Sequence, residues 1–211
     1  MTRVTMGNVT RGVLKSRPMR GAAAAAACLM LAGCLSLGGK VPDQLFRLTP
    51  ETSAPVGSQS SGRIADAIVV LDPGADRSLD VLRIPVQIDA SSIAYLKNAA
   101  WVEKPARQFR GLLAETIRAE TGGLVVEGGD YEVVGKLAVG GQLLRMGYDA
   151  PTRSVIVRFD AARSVRGGEI VTKRFESTVK NVDPKAGAVG PALNQAANDV
   201  ARQVAQWVKG Q

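Results

Sequence analysis

The sequence predicts an α+β fold, in which an antiparallel (mixed) β-sheet is packed on one face by two amphipathic helices as a two-layer sandwich. Two observations predict it. Segments in which apolar and polar residues alternate cluster between residues 67 and 179, and residues 105–121 and 191–208 repeat apolar side chains at helical spacing. Adjacent alternating segments are typical of antiparallel strands with one face buried, and the two helices would cover that face.

The chain opens with a basic segment followed by an apolar one. Residues 1–33 carry four arginines, one lysine and no acidic residue, and residues 21–33 are apolar and rich in alanine. Such a stretch spans only about 20 Å as a helix, which is too short to cross a bilayer. The pattern therefore predicts a secretory signal peptide, whose translation starts at Met1, Met6 or Met19.

The leader ends in Leu31-Ala32-Gly33-Cys34, which is similar to the lipobox of bacterial lipoproteins. The small residues give a peptidase access to the bond before Cys34, and a thiol is the nucleophile that can accept a diacylglyceryl group. We therefore predict a lipoprotein signal peptide over 1–33 and acylation of Cys34. Leu35, rather than an acidic residue, favours the outer membrane. The alternative is an ordinary signal peptide with a cysteine present by chance.

Residues 34–62 are rich in Gly, Ser, Pro and Thr, which predicts a flexible tether after the lipidated Cys34. One short apolar segment inside it, Leu45–Leu48, is a candidate first strand. The folded domain is predicted over 63–209. Its predicted strands are Ala67–Leu71, Leu82–Ile88, Ile93–Leu96, Tyr131–Val139, Val155–Ala161 and Val171–Val179, with a hairpin turn at Arg166–Gly168.

The two helices have recognisable ends. The first is predicted over 105–121, because Pro105 suits a first helical turn and Gly122 suits a helix end. The second is predicted over 191–208, starting at Pro191. Each has one apolar stripe, so each is expected to pack on the sheet.

Composition excludes most catalytic classes. The chain has no histidine and two cysteines, which removes Ser-His-Asp and Cys-His catalysis, His-ligated metals and cysteine-rich zinc sites. No P-loop or dinucleotide fingerprint is present. The net charge of +8 resides partly in the leader and aromatic residues make up 4%, which disfavours nucleic-acid binding. We expect no catalytic, cofactor-binding or metal residues, with a carboxylate-based periplasmic hydrolase as the remaining enzymatic alternative.

The segment from Tyr95 to Pro105 is the most distinctive of the chain. Tyr95 and Trp101 are candidate partner contacts, because such aromatic residues are enriched in protein–protein interfaces. The alternative for Trp101 is a core position that seals the first helix against the sheet.

These features together resemble the ABC-type transport auxiliary lipoprotein family, which includes paraquat-inducible protein C. The resemblance rests on the Leu31–Cys34 lipobox, the early Leu45–Leu48 strand, and Tyr95 to Trp101 leading through an acidic-x-Pro sequence into an amphipathic helix. Long antiparallel strands and an apolar C-terminal helix complete it.

The resemblance implies a non-catalytic lipoprotein on the periplasmic side of the cell envelope. It implies partnership with an Mce-domain substrate-binding protein, an ABC permease and an ATPase that move phospholipid or sterol-like lipid. A membrane contact through the Cys34 acyl chains and a homo-oligomer are further expectations. The alternative is a structural or assembly lipoprotein of the outer membrane, similar to a pilotin.

Overall fold

The structure, a computed structural model, describes residues 42–128 and 135–210. Several predictions lie outside these ranges: the signal peptide 1–33, the acylated Cys34 with the first part of the tether, and residues 131–134 of one predicted strand. The described residues belong to one structural unit.

Along the described residues, six strands precede the first of two long helices, and four further strands lie between the two helices. The strands are β1 (Gln44–Phe46), β2 (Ile68–Val70), β3 (Gly74–Ala75), β4 (Pro85–Gln87), β5 (Ile93–Tyr95), β6 (Ala99–Trp101), β7 (Val125–Glu127), β8 (Leu137–Asp149), β9 (Ser154–Val165) and β10 (Ile170–Val179). The helices are α1 (Pro105–Thr121) and α2 (Ala186–Lys209), and a 3-10 turn spans Ile64–Asp66. The main sheet runs β10-β9-β8-β2-β7, with β3 and β4 beside β8 and β5 beside β4. The α+β sandwich is therefore confirmed.

The three long strands β8, β9 and β10 form an antiparallel meander. The turn between β9 and β10 closes where the Gly168 amide donates to the Val165 carbonyl oxygen at 2.9 Å, and Gly167 adopts a φ of 69° there. The register sets Leu143, Phe159 and Phe175 side by side across the three strands. All three side chains are buried, so this row forms the floor of the core.

The rest of the main sheet is mixed rather than antiparallel. β2 pairs in parallel with both β7 and β8, and β4 also pairs in parallel with β8. Parallel neighbours need a crossover connection, and the chain from β2 to β7 includes α1, which supplies one. The antiparallel prediction thus holds for the β8–β10 meander, while β2 joins the sheet in parallel.

Helix α1 begins and ends where the sequence predicts. Pro105 occupies its first turn, and Gly122 after its last residue adopts a left-handed φ of 64° while its amide donates to the Arg118 carbonyl oxygen. This is the usual way in which glycine ends a helix. The buried face carries Phe109, whose ring meets that of Phe159 edge-on with centroids 5.1 Å apart. This contact joins α1 to the centre of the sheet.

Helix α2 begins five residues earlier than predicted, at Ala186 rather than Pro191. Proline is typical of a first turn because it lacks an N–H donor, but here it lies inside the helix. The added turn packs tightly against β1: a Cβ at Gly190 would lie 2.5 Å from the ring of Phe46. Val189 and Gly190 in this turn are both buried, which favours the helical start at Ala186 despite the hydrogen bond that Pro191 cannot make.

Residues 44–54 are docked on the helices, which differs from the predicted tether over 34–62. The backbone amides of Leu48, Thr49, Glu51 and Ala54 donate to side chains of Gln108, Asn194, Asn198 and Glu115, at 2.7–2.9 Å. The Asn198 amide donates back to the Thr49 carbonyl oxygen. We call residues 44–54 the strap. Its polar backbone is satisfied by helix side chains, so the ordered domain includes residues well before 63.

Replacement of Gly111 by alanine is expected to stabilise the protein. Gly111 lies inside α1, and a Cβ there meets nothing within 4 Å. Glycine in a helix interior costs about 0.5–1 kcal/mol relative to alanine, so thermal or urea unfolding should show a gain of that size. Gly190→Ala is the contrasting helix variant, because its Cβ would meet Phe46 and lower stability. A loss of stability in Gly111→Ala would contradict the open environment of this position.

Candidate partner-binding surface

The two aromatic residues predicted as partner contacts occupy different environments. Tyr95 ends β5 and is half-buried, whereas Trp101 ends β6 and is 1% exposed. The side chain of Trp101 packs in the core, where Phe46 of the paired strand β1 meets it edge-on with ring centroids 6.4 Å apart. Its indole N–H is buried without a hydrogen-bond partner. The core interpretation of Trp101 is therefore confirmed, and its burial leaves it no surface for a partner in this conformation.

Tyr95 lies on a strand with one open side. β5 pairs with β4, and no other strand of the described chain lies beside it. The Arg83 guanidinium stacks on the Tyr95 ring at 3.9 Å from its centroid. Ile93, two residues earlier on the same face of the strand, is 46% exposed. We call Arg83, Ile93 and Tyr95 the β5 edge; it combines open backbone groups with an apolar and an aromatic side chain.

The loop that joins β4 to β5 is held by an acidic residue. The Asp89 carboxylate accepts from the backbone amides of Ser91 and Ser92 at 2.9 Å and from the Ser91 hydroxyl at 3.2 Å. These hydrogen bonds lower the pKa of Asp89 below its ordinary value, and the one from the Ser91 amide has the largest effect. The Gln87 amide donates to the Asp89 carbonyl oxygen at 2.6 Å. The loop therefore fixes β5 in position at neutral pH, when Asp89 is ionised.

A cavity of about 340 Å³ adjoins the β5 edge. Ile93, Leu79, Met146 and Tyr148 give it apolar walls, and Asp76 and Arg145 bring charge to its lining. Tyr148 is fixed there by donating its hydroxyl to the Val182 carbonyl oxygen at 2.9 Å. A pocket of this kind beside an open strand can receive a side chain of a bound segment.

The exposed face of the meander carries paired charges rather than an acid–base centre. Arg174 binds Asp160 through two hydrogen bonds of 2.6 and 2.7 Å, and Arg158 binds Glu176 across the same two strands. The hydrogen bonds from Arg174 lower the pKa of Asp160, so this carboxylate stays ionised. A carboxyl group that acts as a general acid near neutral pH needs a raised pKa, and that of Asp160 is lowered. We therefore interpret these residues as ion pairs that link β9 to β10.

Within residues 42–128 and 135–210, no group of three or more Cys, Asp or Glu side chains is placed to hold a metal ion. In the same ranges, no helix combines the length and apolar character needed to cross a bilayer.

The chain belongs to the family of ABC-type transport auxiliary lipoprotein components, whose model matches residues 46–205. The family description makes its members auxiliary lipoprotein components of ABC-type transport. The match begins inside the strap, which agrees with an ordered domain that starts before residue 63. No curated protein matches the chain by sequence.

Two solved structures share the fold at low identity, and a third is similar only with a TM-score below 0.5. The crystal structure of an uncharacterized protein has a TM-score of 0.63 and 11% identity, covering 80% of this chain and 99% of its own. Protein XCC0632 from Xanthomonas campestris, of family DUF330, has a TM-score of 0.59 and 15% identity, covering 82% and 96%. PelC from Paraburkholderia phytofirmans, solved as a dodecamer, has a TM-score of 0.42 and 12% identity, covering 71% and 92%.

Residue type singled out Tyr95 in the sequence but not Arg83 and Ile93, its two neighbours on the β5 edge. The alternation of Ile93 with Tyr95 was the available signal that both side chains share a face. The stacking of Arg83 depends on the pairing of β4 with β5, which no local pattern specifies.

Proposed function

We propose that this protein is a non-catalytic, membrane-anchored auxiliary component of an ABC transport system that moves phospholipid or sterol-like lipid. Its partners would be an Mce-domain substrate-binding protein, a permease and an ATPase. The family match over residues 46–205 carries the proposal, and the lipobox that ends at Cys34 supports the anchored form. The periplasmic side of the outer membrane is the proposed location.

The strap makes the proposed anchor short. Gln44, where the strap begins, is ten residues beyond Cys34, and an extended chain covers about 3.3–3.6 Å per residue. The acyl chains would therefore hold the strap within about 35 Å of the membrane surface. A tether over 34–62 would allow a much larger range of heights. In this proposal the domain binds its partners close to the membrane surface.

The β5 edge is the proposed docking contact for the Mce assembly. Its open side offers backbone N–H and C=O groups to an added strand, and Ile93 offers an exposed apolar anchor beside the cavity. Arg83 holds the Tyr95 ring from one side, so this aromatic contact is positioned before binding.

A detergent pull-down of the C-terminally tagged full-length protein, followed by mass spectrometry, tests the proposed function. We expect to recover an Mce-domain protein together with its permease and ATPase. Recovery of an outer-membrane β-barrel or a secretin instead would move the protein to the assembly class and overturn the proposal.

Ile93→Asp is expected to reduce recovery of the transporter about tenfold, because a charge replaces an exposed apolar anchor at the proposed contact. Val56→Asp is the matched control: Val56 is fully exposed and lies two residues after the strap, outside the β5 edge, so recovery should stay at the wild-type level. Thermal unfolding of both variants checks that the domain stays folded. Equal recovery with wild type and Ile93→Asp would exclude the β5 edge as the docking contact.

A further inference from the structure

β10 lies at the outer side of the main sheet and offers a long open edge. It spans Ile170–Val179, pairs with β9 on one side, and has no strand of the described chain on the other. Its sequence contains no proline, and its register with β9 is continuous over all ten residues. Such an edge leaves a row of backbone N–H and C=O groups available to another strand. On β10 the Glu176 carbonyl oxygen also accepts from the exposed Gln203 side chain of α2 at 3.4 Å, a long contact that an added strand would replace.

The charged residues on the exposed face of β10 are complementary to those of a second, antiparallel copy of the strand. Arg174 and Glu176 project from this face on either side of Phe175. When two copies of β10 run antiparallel about Phe175, Arg174 of each copy faces Glu176 of the other, and Thr172 faces Thr178. Opposite charges directly across two strands are stabilising, and like charges are destabilising. Shifting the centre to Arg174 or to Glu176 sets that residue against itself.

The same register extends ion pairs that already exist in one copy. Arg174 binds Asp160 on β9, and Glu176 binds Arg158. Pairing about Phe175 would therefore join them into two rows across four strands. Each row reads Arg158, Glu176, Arg174 and Asp160, so that the sign of the charge alternates at every step.

The opposite face of β10 fits this register as well. Lys173 lies near the Phe175 ring, at 5.2 Å from its centroid, and has no ion pair within the described chain. In the paired register it faces Ser177 of the other copy, whose hydroxyl donates to the Asp199 carboxylate of α2 at 3.1 Å. Lys173 would thus gain an acidic partner only when the two copies meet. Phe175, which is 4% exposed, would meet its own copy at the centre.

We infer that two copies of this chain pair through β10 in an antiparallel register centred on Phe175, forming a symmetric dimer with one continuous sheet. The twofold axis is perpendicular to the sheet, so both helix layers lie on the same side. This interface leaves the β5 edge free and stands independently of the proposed transport function.

Charge-reversal variants of the full-length chain in detergent test the inferred register, using light scattering coupled to gel filtration. Wild type should be dimeric. Arg174→Glu places Glu opposite Glu, and Glu176→Arg places Arg opposite Arg, so each variant alone should be monomeric at the same concentration. An equimolar mixture restores opposite charges at both positions and should give a mixed dimer. A monomeric wild type, dimers of either single variant, or a mixture that stays monomeric would each overturn the inference.

Cysteine cross-linking gives a second readout that does not depend on charge. Thr172→Cys/Thr178→Cys places the two thiols opposite each other in the inferred register, so oxidation should give a covalent dimer. Thr172→Cys alone is the matched control, since its thiol faces Thr178 and should not cross-link. Absence of a covalent dimer in the double variant, or an equal yield in the control, would reject the register centred on Phe175.

Discussion

Gly141→Ala is expected to lower the free energy of unfolding by about 3 kcal/mol or more. Gly141 lies in β8 with a φ of 142°, a backbone conformation that residues with a Cβ rarely adopt. A Cβ there would lie 2.0 Å from the Asp160 carbonyl oxygen and 2.9 Å from the Phe159 ring. Neither atom can move away easily, because both belong to β9, the middle strand of the meander. The added methyl group must therefore separate β8 from β9 or distort both.

Urea unfolding of the full-length chain measures this effect, and Gly167→Ala is its matched control. Gly167 also has a positive φ, of 69°, but a Cβ there meets nothing within 4 Å. The control should cost only the left-handed backbone strain, roughly 1–2 kcal/mol. Equal losses in the two variants would mean that the close approach of β8 to β9 contributes nothing beyond the positive φ.

The sequence predicted correctly those features that depend on residues close together along the chain. Helix α1 combined an apolar stripe with a proline at its first position and a glycine after its last residue, and both ends were correct. Strands β9 and β10 were predictable because the alternation over residues 155–161 and 171–179 leaves one assignment of faces. The prediction for β8 was wrong in extent, because β8 spans Leu137–Asp149 and shares only its first three residues with the predicted strand Tyr131–Val139. In each case the decisive interactions lie within a few residues along the chain.

Only the short strand of the strap was predicted, at Leu45–Leu48, and the rest was interpreted as a tether because its order comes from distant residues. Its composition is typical of a tether, yet its amides find acceptors on Gln108, Asn194 and Asn198, 60 to 147 positions along the chain. The parallel pairing of β2 was missed for a related reason, since alternation specifies faces but not strand direction. The start of α2 was predicted wrongly at Pro191 because proline is a strong local signal for a first turn. The helix starts earlier, where Gly190 packs on Phe46.

The candidate surface was predictable only in part. Tyr95 stood out by its residue type, and the structure places it at an open strand. Trp101 stood out in the same way and is buried, because β6 pairs with β1 of the strap and brings Phe46 over its ring. Residue type alone could not separate the two, since the strap that covers Trp101 was itself interpreted as a tether.

Cys34→Ala is expected to abolish acylation and to reduce lipid flux strongly, while ATP hydrolysis by the purified transporter stays unchanged. Each buried CH₂ group contributes about 0.8 kcal/mol to membrane binding, so stable anchoring needs more than one acyl chain. The proposed docking role needs the domain beside the membrane, whereas ATP hydrolysis takes place in a different subunit. Incorporation of labelled palmitate and transfer of labelled lipid between membranes are the two measurements.

Cys28→Ala is the matched control, because it removes the other cysteine of the chain and leaves Cys34 in place. Cys28 lies within the predicted signal peptide, so its replacement should leave both palmitate labelling and lipid flux at the wild-type level. A second form of Cys34→Ala, exported on a leader with a conventional cleavage site, ensures that a retained leader does not replace the anchor. Full flux from this released form would contradict anchored docking, because the domain would then act equally well from solution. Loss of flux with retained ATP hydrolysis is the result that the short connection between Cys34 and the strap predicts.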